Sequence, residues 1–328
     1  MKNRLLATAA AGLLLASLAS CGSPDSTVRS TAPTFRAPIP AGVQDPASAA
    51  PGGTDSSDGS CDPRASLRPP ATLPAPGQMP AGSTMADIVK HGHLTVGVDQ
   101  NTYLFGYRDA VSGQIVGFDI DIAKRIAQAI FGDANPNHLQ LVAITSAQRI
   151  PFVQQGQVDI VADSMTINCE RLQQVEFSTD YFDAGQKILV TKGSPYHTIG
   201  DLGGKKVCAA AGTTSIVTIA TEPSHPIPVS VSDWTDCLVM LQQGQVQAVS
   251  TDDNILAGLA KQDPNTEVVG PRFTDEPHGL AIKKSDTDFV RFVNGVLDRM
   301  RTDGTWAQLY DHWLGGPAPT PPASKYSD

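Results

Sequence analysis

The chain has 328 residues, a formal net charge of −9 and 41% hydrophobic positions. This composition excludes collagen-like, wholly disordered and cysteine-scaffold proteins, and the length is sufficient for a large buried core. The acidic balance, without a Lys/Arg-rich run, argues against nucleic acid as a partner, because binding to phosphates needs clustered cations.

The first 20 residues have the pattern of a secretory signal peptide. Lys2 and Arg4 precede an apolar run over 5–19, which is too short to cross a hydrocarbon layer about 30 Å thick. The run ends in small residues before Cys21, which resembles a bacterial lipobox and implies cleavage before this cysteine and lipidation of its thiol. An ordinary signal peptide with an incidental cysteine is the alternative. We predict a protein anchored by lipid on the outer face of the cytoplasmic membrane.

Two proline-rich stretches flank the predicted globular part. Twelve of the 25 prolines lie within 24–80 and four lie within 317–322. Segments with few large apolar side chains do not bury enough surface to offset the entropy lost on ordering. We therefore expect a lipid anchor and disordered tether over 21–80 and a flexible tail over 315–328.

The cysteine count suits an oxidising compartment. With Cys21 lipidated, four cysteines remain, which is an even number. We favour a bond between Cys208 and Cys237, worth roughly 3 to 4 kcal/mol in the chain-entropy model; Cys61 and Cys169 then pair by elimination. Free thiols are the alternative. Because the chain has no C-x-x-C and no H-E-x-x-H spacing, we predict no metal and no cofactor.

Between the proline-rich stretches, strands alternate with helices. Phe118, Ile122, Ile126 and Ile130 recur every four residues after Gly117, which predicts an amphipathic helix. Another helix is predicted over 289–300. Short apolar runs predict strands at 94–98, 141–144, 158–162, 188–191, 206–210 and 248–250. This alternation predicts an α/β fold with a largely parallel sheet.

One pentapeptide, QQGQV, occurs at 154–158 and again at 242–246. Each copy ends a predicted helix and precedes a short strand that finishes in polar residues. Two such units suggest two similar α/β lobes, with chance duplication of a low-complexity pentapeptide as the alternative. Open α/β sheets bind ligands outside the carboxyl ends of their strands, so we expect the polar ends to face each other across a cleft.

The polar residues at these strand ends fit an amino-acid zwitterion. Arg171 has the geometry to hold a carboxylate through two hydrogen bonds, and Asp252 can pair with an ammonium. The Gly-Thr-Thr turn at 212–214 presents N–H groups and hydroxyls to an anion. The alternative gives Arg171 a surface ion pair and makes Thr213 and Thr214 mere helix caps.

Several ordered motifs resemble those of the polar amino-acid family of bacterial extracellular solute-binding proteins. They are GFDIDIA at 117–123, MTINCER at 165–171, FS at 177–178, GTT at 212–214 and TDD at 251–253. The match covers about residues 85–314. Through Ser146 to Arg149 and the Cys208 and Cys237 pair, the chain looks closest to the actinobacterial glutamate/glutamine-binding lipoproteins of that family.

The resemblance implies a two-lobed type II periplasmic-binding fold with two crossing hinge strands. Lobe 1 would comprise 81–190 plus 275–314, and lobe 2 would comprise 191–274. The resemblance also implies that the protein is a monomer. Its closed cleft would hold an amino acid and would be recognised by a membrane partner.

The resemblance also implies a ligand set. Arg171 and the backbone N–H groups of Thr166 and Thr214 would hold the α-carboxylate. The Ser164 carbonyl, the Thr166 hydroxyl and Asp252 would hold the α-ammonium.

Selectivity for the ligand side chain is left open by the resemblance. Phe105 would pack on the ligand's stem, and Arg149 is the candidate cation for a side-chain carboxylate. Asp99 could instead accept a hydrogen bond from a carboxamide. Glutamate, aspartate, glutamine and asparagine therefore all remain candidate ligands.

The sequence is compatible with three candidate functions. The leading one is a receptor that delivers its amino acid to an ABC permease. The second is a sensor subunit that signals through a membrane receptor without transport. The third is an enzyme on the same fold, such as a cyclohexadienyl dehydratase. Because the chain has no G-x-S-x-G and no G-x-x-x-x-G-K-[ST], we predict a binding protein rather than an enzyme.

Overall fold

Two five-stranded sheets organise the part of the chain that the computed structural model describes, which is residues 37–48 and 61–328. The strands in chain order are β1 (Ala65–Ser66), β2 (Leu94–Val98), β3 (Asn101–Thr102), β4 (Gly106–Arg108), β5 (Ile115–Val116), β6 (Leu139–Ala143), β7 (Ile160–Val161), β8 (Val175–Phe177), β9 (Phe182–Ala184), β10 (Gln186–Thr191), β11 (Lys206–Ala210), β12 (Ile227–Val231), β13 (Ala248–Asp252), β14 (Thr266–Val269), β15 (Glu276–His278), β16 (Ala281–Lys283) and β17 (Lys325–Tyr326). The α-helices are α1 (Thr84–His91), α2 (Phe118–Phe131), α3 (Arg149–Gln154), α4 (Cys169–Leu172), α5 (Thr214–Thr221), α6 (Trp234–Gln242), α7 (Asp253–Gln262), α8 (Thr287–Thr302) and α9 (Thr305–Leu314).

The two large sheets have the same arrangement of strand directions. In the first, with the order β6-β2-β7-β16-β8, β2 runs parallel to β6 and β7, whereas β16 is antiparallel to its neighbours. In the second, with the order β12-β11-β13-β10-β14, β11 runs parallel to β12 and β13, and β10 is antiparallel to β13 and β14. Both sheets are therefore mixed, with a parallel half. The predicted two-lobed α/β fold is confirmed.

The duplicated pentapeptide marks equivalent places in the two lobes. Each copy begins at the last residue of a helix, α3 for the first and α6 for the second, and leads into β7 or β13. Both strands are the third in their sheets. Gly156 and Gly244 have φ of 67° and 66°, a left-handed conformation that favours glycine after a helix. The duplication therefore reflects the repeated architecture.

Helix α2 packs the predicted apolar stripe into the core of the first lobe. Phe118, Ile122, Ile126 and Ile130 are each 0% exposed. The helix begins after Gly117, where a Cβ would lie 2.1 Å from the Phe105 carbonyl oxygen. Only glycine permits this close approach of two backbone segments, which fixes where the helix starts.

Two short strands carry the chain between the lobes. Strand β9 leads from β8 of the first sheet to β10 of the second, and β15 leads back from β14 to β16. The two strands pair in antiparallel fashion, with Glu276 opposite Ala184 and His278 opposite Phe182. These are the two crossing strands that the family resemblance implied, and they position Glu276 and His278 beside the cleft.

The segments at both ends of the globular part differ from the expectation of a disordered tether and tail. Strand β1 pairs in parallel with β17, so residues 61–80 and the last residues of the chain form one structure. Asn294 of α8 donates hydrogen bonds to Ser66 Oγ at 2.9 Å and to the Leu67 carbonyl at 2.7 Å. Gln44 lies beside the edge strand β12, where it and Ser230 exchange two backbone hydrogen bonds of 3.0 Å. Specific polar contacts, together with packing of Leu67, Leu73 and Met79 against the core of the first lobe, thus order these proline-rich segments.

Both predicted disulfides are present. Cys208 is bonded to Cys237, which joins β11 to α6 inside the second lobe. Cys61 is bonded to Cys169, which fastens the start of the second described segment to α4 of the first lobe. The predicted signal peptide over 1–20 and the lipidation of Cys21 lie outside the described residues.

Candidate functional site

The two lobes meet along a narrow cleft at the carboxyl ends of their parallel strands. The first lobe lines it with Arg149, Asp163, Ser164, Thr166 and Arg171, and the second with Thr213, Thr214, Ser215, Trp234, Thr251, Asp252 and Ile255. Seven of the nine predicted binding residues are in this set. The cleft encloses about 10 Å³, near the space that a single water molecule needs. An amino acid therefore enters only when the lobes move apart.

Arg171 is one of the two buried cations that line the cleft. It lies on α4, where its backbone N–H is capped by the Asn168 side chain at 2.8 Å. Its guanidinium donates to the Thr166 carbonyl at 2.7 Å and, across the cleft, to the Gly212 carbonyl at 3.3 Å. Burial and then the charge of Arg149 lower the pKa of Arg171 to about 9. A group in this position gains strongly from an anionic partner.

Arg149 converges on the same carbonyl of the second lobe. It donates to the Ser146 and Asp163 carbonyls, each at 3.0 Å, and to the Gly212 carbonyl at 3.4 Å. Gly212 has a φ of 77°, and a Cβ there would lie 2.7 Å from Ala147 Cα. Glycine thus allows the second lobe to approach two guanidinium groups closely. Two buried cations beside one turn form a site that favours anions.

Ser164 is held in an unusual backbone conformation by the carboxylate of Asp119. Its φ of 39° lies in the left-handed region, which a non-glycine residue rarely adopts. Asp119 accepts hydrogen bonds from the Ser164 N–H at 2.8 Å and from its hydroxyl at 3.1 Å. Tyr181 donates to the other oxygen of Asp119 at 2.8 Å. Asp119, in the first turn of α2, is buried and positions the residues that follow β7.

The turn before α5 supplies hydroxyl groups from the second lobe. Thr213 donates to the Ala210 carbonyl at 2.7 Å and accepts from a backbone N–H in the first turn of α5, so its hydroxyl caps the helix. Thr214 donates to Glu276 at 3.0 Å, and its hydroxyl lies 3.4 Å from that of Thr166 in the other lobe. The helix-cap alternative therefore describes Thr213, whereas Thr214 faces the opposite lobe.

Asp252 combines one held oxygen with one that has no partner. His278 Nε2, from the crossing strand β15, lies 2.8 Å from Asp252 Oδ2. Asp252 Oδ1 is buried and has no hydrogen-bond partner among the described residues. Burial and then the Asp252 charge raise the pKa of Glu276, the next acid of the cleft. The arrangement leaves one oxygen of Asp252 to receive a donor from a ligand.

Two predicted residues do not reach the cleft. Phe105 is 0% exposed, and its ring packs edge-on against those of Phe118 and Phe182. Asp99 accepts from the Thr102 hydroxyl at 2.5 Å and from a backbone N–H, which occupies both of its oxygens. Ligand contact by these two residues stays a prediction; in this arrangement the core holds Phe105 and the turn after β2 holds Asp99 outside the cleft lining.

Other cleft residues were not predicted. Trp234 begins α6 directly after β12, so the rule that ligands bind at strand ends could have found it. Glu276 and His278 lie on β15, and their sequence context carries no comparable signal. Within residues 37–48 and 61–328, no group of three or more His, Cys, Asp and Glu side chains is placed to hold a metal ion. None of the helices described for the chain has the length and apolar character that crossing a bilayer requires.

A cleft between two similar α/β lobes, lined by charged groups of both signs and crossed by two hinge strands, defines a solute-binding protein. The family model of bacterial extracellular solute-binding proteins, family 3, matches residues 94–316. The chain belongs to this family. Because it is a family of binding proteins, the prediction of a binding protein rather than an enzyme is confirmed.

Relatives and solved structures support this membership. The ABC transporter glutamine-binding protein of Bacillus subtilis is 39% identical over 232 residues, which cover 70% of this chain and 84% of that protein. The glutamate-binding protein of Corynebacterium glutamicum is 30% identical over 237 residues, covering 69% and 80%. An ancestral arginine-binding protein bound to glutamine superposes with a TM-score of 0.64 at 34% identity, covering 69% of this chain and 99% of that one.

Proposed function

We propose that the protein is an extracytoplasmic receptor that binds glutamate, aspartate or one of their amides by closing its cleft, and that it delivers the ligand to an ABC permease. The observation that carries this proposal is the charge pattern of the cleft. Arg149 and Arg171 converge on Gly212, and Asp252 opposes them with an oxygen that has no hydrogen-bond partner in the described part of the chain. The similarity to a bacterial glutamine-binding protein and a bacterial glutamate-binding protein supports it.

The α-carboxylate of the ligand belongs with Arg171. This guanidinium is 7% exposed at the residue level and lies where a carboxylate could replace its long 3.3 Å contact to Gly212. The short bond to the Thr166 carbonyl keeps the group in place during that exchange. Charge-assisted, two-point binding of a carboxylate is the interaction for which guanidinium geometry is best suited.

The α-ammonium belongs with Asp252 and the hydroxyl of Thr166. An ammonium has three donors and needs acceptors around it. Asp252 Oδ1 is buried without a partner, and the Ser164 carbonyl is directed by the unusual backbone of that residue. Because these acceptors come from opposite lobes, the ammonium is fully satisfied only in the closed form, so binding favours closure.

The side chain of the ligand belongs with Arg149, which would neutralise a carboxylate or donate to a carboxamide oxygen. We retain the proposed boundaries, with lobe 1 over 81–190 plus 275–314 and lobe 2 over 191–274. We also retain Cys21 as the lipid anchor of a monomeric receptor. The anchor would keep the receptor beside its permease at the outer face of the membrane.

The test is a thermal-shift panel of the twenty amino acids with the purified receptor. A ligand that binds only the folded state adds about 2.7 kcal/mol at 100 times its dissociation constant, which raises the melting temperature measurably. We expect the largest shifts among glutamate, aspartate, glutamine and asparagine, with dissociation constants then measured by calorimetry. A panel in which these four leave the melting temperature unchanged would refute the proposed ligand class.

A further inference from the structure

Among the described residues, Asp163 and Asp252 are the two acids that line the cleft directly, and the proposed zwitterion gives no role to Asp163. It follows β7 at the centre of the first sheet, and the residue is 4% exposed. Its Oδ2 atom is buried and has no hydrogen-bond partner in the described part of the chain. The nearest cation is Arg149, whose Nε lies 3.9 Å from that oxygen. A buried carboxyl that lines a binding cleft without a partner needs an explanation, because such groups are costly.

The balance of charges in the cleft explains why Asp163 is there. A bound zwitterion pairs its carboxylate with Arg171 and its ammonium with Asp252. Among the charged residues that line the cleft, Arg149 and Asp163 then remain for the ligand side chain. If Asp163 is ionised, it balances Arg149 and the site suits a neutral carboxamide. If Asp163 is protonated, the charge of Arg149 is left for a side-chain carboxylate.

We propose that Asp163 determines specificity by this balance: its ionised form favours glutamine or asparagine, and its protonated form favours glutamate or aspartate. The inference rests on the proposed function and goes beyond it, because it names the residue that discriminates an acid from its amide. The carboxyl oxygen is the acceptor for the amide NH₂ in one case, and the carboxyl O–H is a donor to the ligand carboxylate in the other.

The surroundings of Asp163 favour a proton at this position. Burial raises the pKa of Asp163 well above its usual value. Asp163 interacts electrostatically with five charged or titratable groups. They are Arg149 on α3, Arg171 on α4, Asp99 after β2, Asp119 on α2 and Tyr181 before β9. The two arginines lower the pKa of Asp163, whereas the two other carboxyls raise it. Across the cleft, Asp252 and Glu276 act on Arg171.

The sign of the pH effect follows. A ligand carboxylate beside Asp163 raises the pKa of that carboxyl further, so an acidic ligand binds together with a proton. The affinity for an acid therefore falls as the pH rises through the pKa of Asp163 in the free protein, whereas the affinity for the amide changes less. The ratio of acid affinity to amide affinity is the quantity that reports this residue alone.

The experiment measures dissociation constants of glutamate, glutamine, aspartate and asparagine by calorimetry between pH 5.5 and 9. It compares the wild type with Asp163→Asn, which mimics the protonated carboxyl in shape and charge. The control is Asp159→Asn, which removes the same charge at the opposite end of β7, where that acid accepts a hydrogen bond from the Thr95 N–H at 2.8 Å.

We expect Asp163→Asn to raise the ratio of acid to amide affinity at least tenfold at pH 8 and to remove its dependence on pH. Asp159→Asn should leave the wild-type ratio unchanged. A ratio that stays within threefold of wild type in Asp163→Asn, or an equal effect of Asp159→Asn, overturns the inference. If Asp163→Asn does not fold, the wild-type ratio decides, because a ratio that is flat across this pH range also overturns it. A wild type that binds none of the four ligands refutes the proposed function itself.

Discussion

Replacing Arg171 by methionine tests the central contact of the proposed receptor. The substitution keeps much of the apolar stem and removes a guanidinium that donates to Thr166 and Gly212. The ligand carboxylate would then be buried without its cation, a loss of about 3 to 5 kcal/mol. At about 1.4 kcal/mol per tenfold, the affinity should fall by roughly a hundredfold to several thousandfold.

The stability of the ligand-free protein should respond differently. Arg149 lies close enough to contribute to the lowered pKa of Arg171, so removing one guanidinium relieves a repulsion between two buried cations. The Thr166 carbonyl loses a hydrogen-bond donor, which costs about 1 kcal/mol. These effects oppose each other. The melting temperature without ligand should therefore stay within a few degrees of wild type.

Calorimetry with the best ligand, together with melting curves without ligand, separates the two effects. Arg171→Lys retains the charge without the fork geometry and should bind with an intermediate affinity. Arg125→Met is the matched control, since Arg125 is an exposed residue of α2 whose guanidinium donates to the neighbouring Gln128 side chain. If Arg171→Met binds within tenfold of wild type, or if Arg125→Met loses as much affinity, the assigned role of Arg171 is refuted.

Three further predictions concern stability. Arg64 donates to the buried carboxyl of Asp180 at 2.6 Å and to the carboxyl of Asp183 at 2.6 Å. Arg64→Ala should lower the free energy of unfolding, measured in urea, by about 1 to 2 kcal/mol. An unchanged free energy of unfolding would contradict this role of Arg64. Burial and then Asp183 raise the pKa of Asp180 to about 8. Between pH 4 and this pKa, Asp180 keeps a proton in the folded state that it has lost in the unfolded state, so its contribution to stability falls as the pH rises. Asp180→Asn should therefore flatten the dependence of the free energy of unfolding on pH between about pH 5 and 8. An unaltered slope would contradict the raised pKa of Asp180. Replacing Cys208 and Cys237 by serine should cost about 3 to 4 kcal/mol in the same urea assay, and a loss below 1 kcal/mol would show that the bond does little for the folded lobe.

Periodicity and repetition made much of the fold predictable. The four-residue spacing of α2 and the duplicated pentapeptide both depend on local geometry, which the sequence expresses directly. The clustering of Arg171, Thr214 and Asp252 followed from the rule that polar residues at strand ends share one edge of a sheet. These residues line the cleft in the structure. Each was predictable because a general rule links its position in sequence to its position in space.

The two exceptions have different physical origins, one local and one between residues that are distant in sequence. Asp99 follows a strand as the rule requires, but the Thr102 hydroxyl donates a hydrogen bond to its carboxylate, which lies outside the cleft lining. Residues 61–80 have a composition typical of a tether, and they are ordered through Cys61–Cys169 and the Asn294 side chain of α8. The Asp99 contact is local, and the strand-end rule misses it because the rule does not consider a hydroxyl three residues away. The ordering of residues 61–80 depends on distant partners, which composition does not reveal.

The crossing strand β15 explains how ligand binding and closure can act as one process. Glu276 on this strand accepts from Thr214 of the second lobe, and Thr214 in turn lies 3.4 Å from the Thr166 hydroxyl of the first. His278, two residues further on, holds Asp252. The groups that we assign to the ammonium are therefore connected to the strand that must bend when the lobes separate. Because opening changes the geometry of β15, it also changes the positions of these acceptors. The energy of ligand binding is then available only in the closed form, which is the requirement for a ligand to shift a hinge equilibrium.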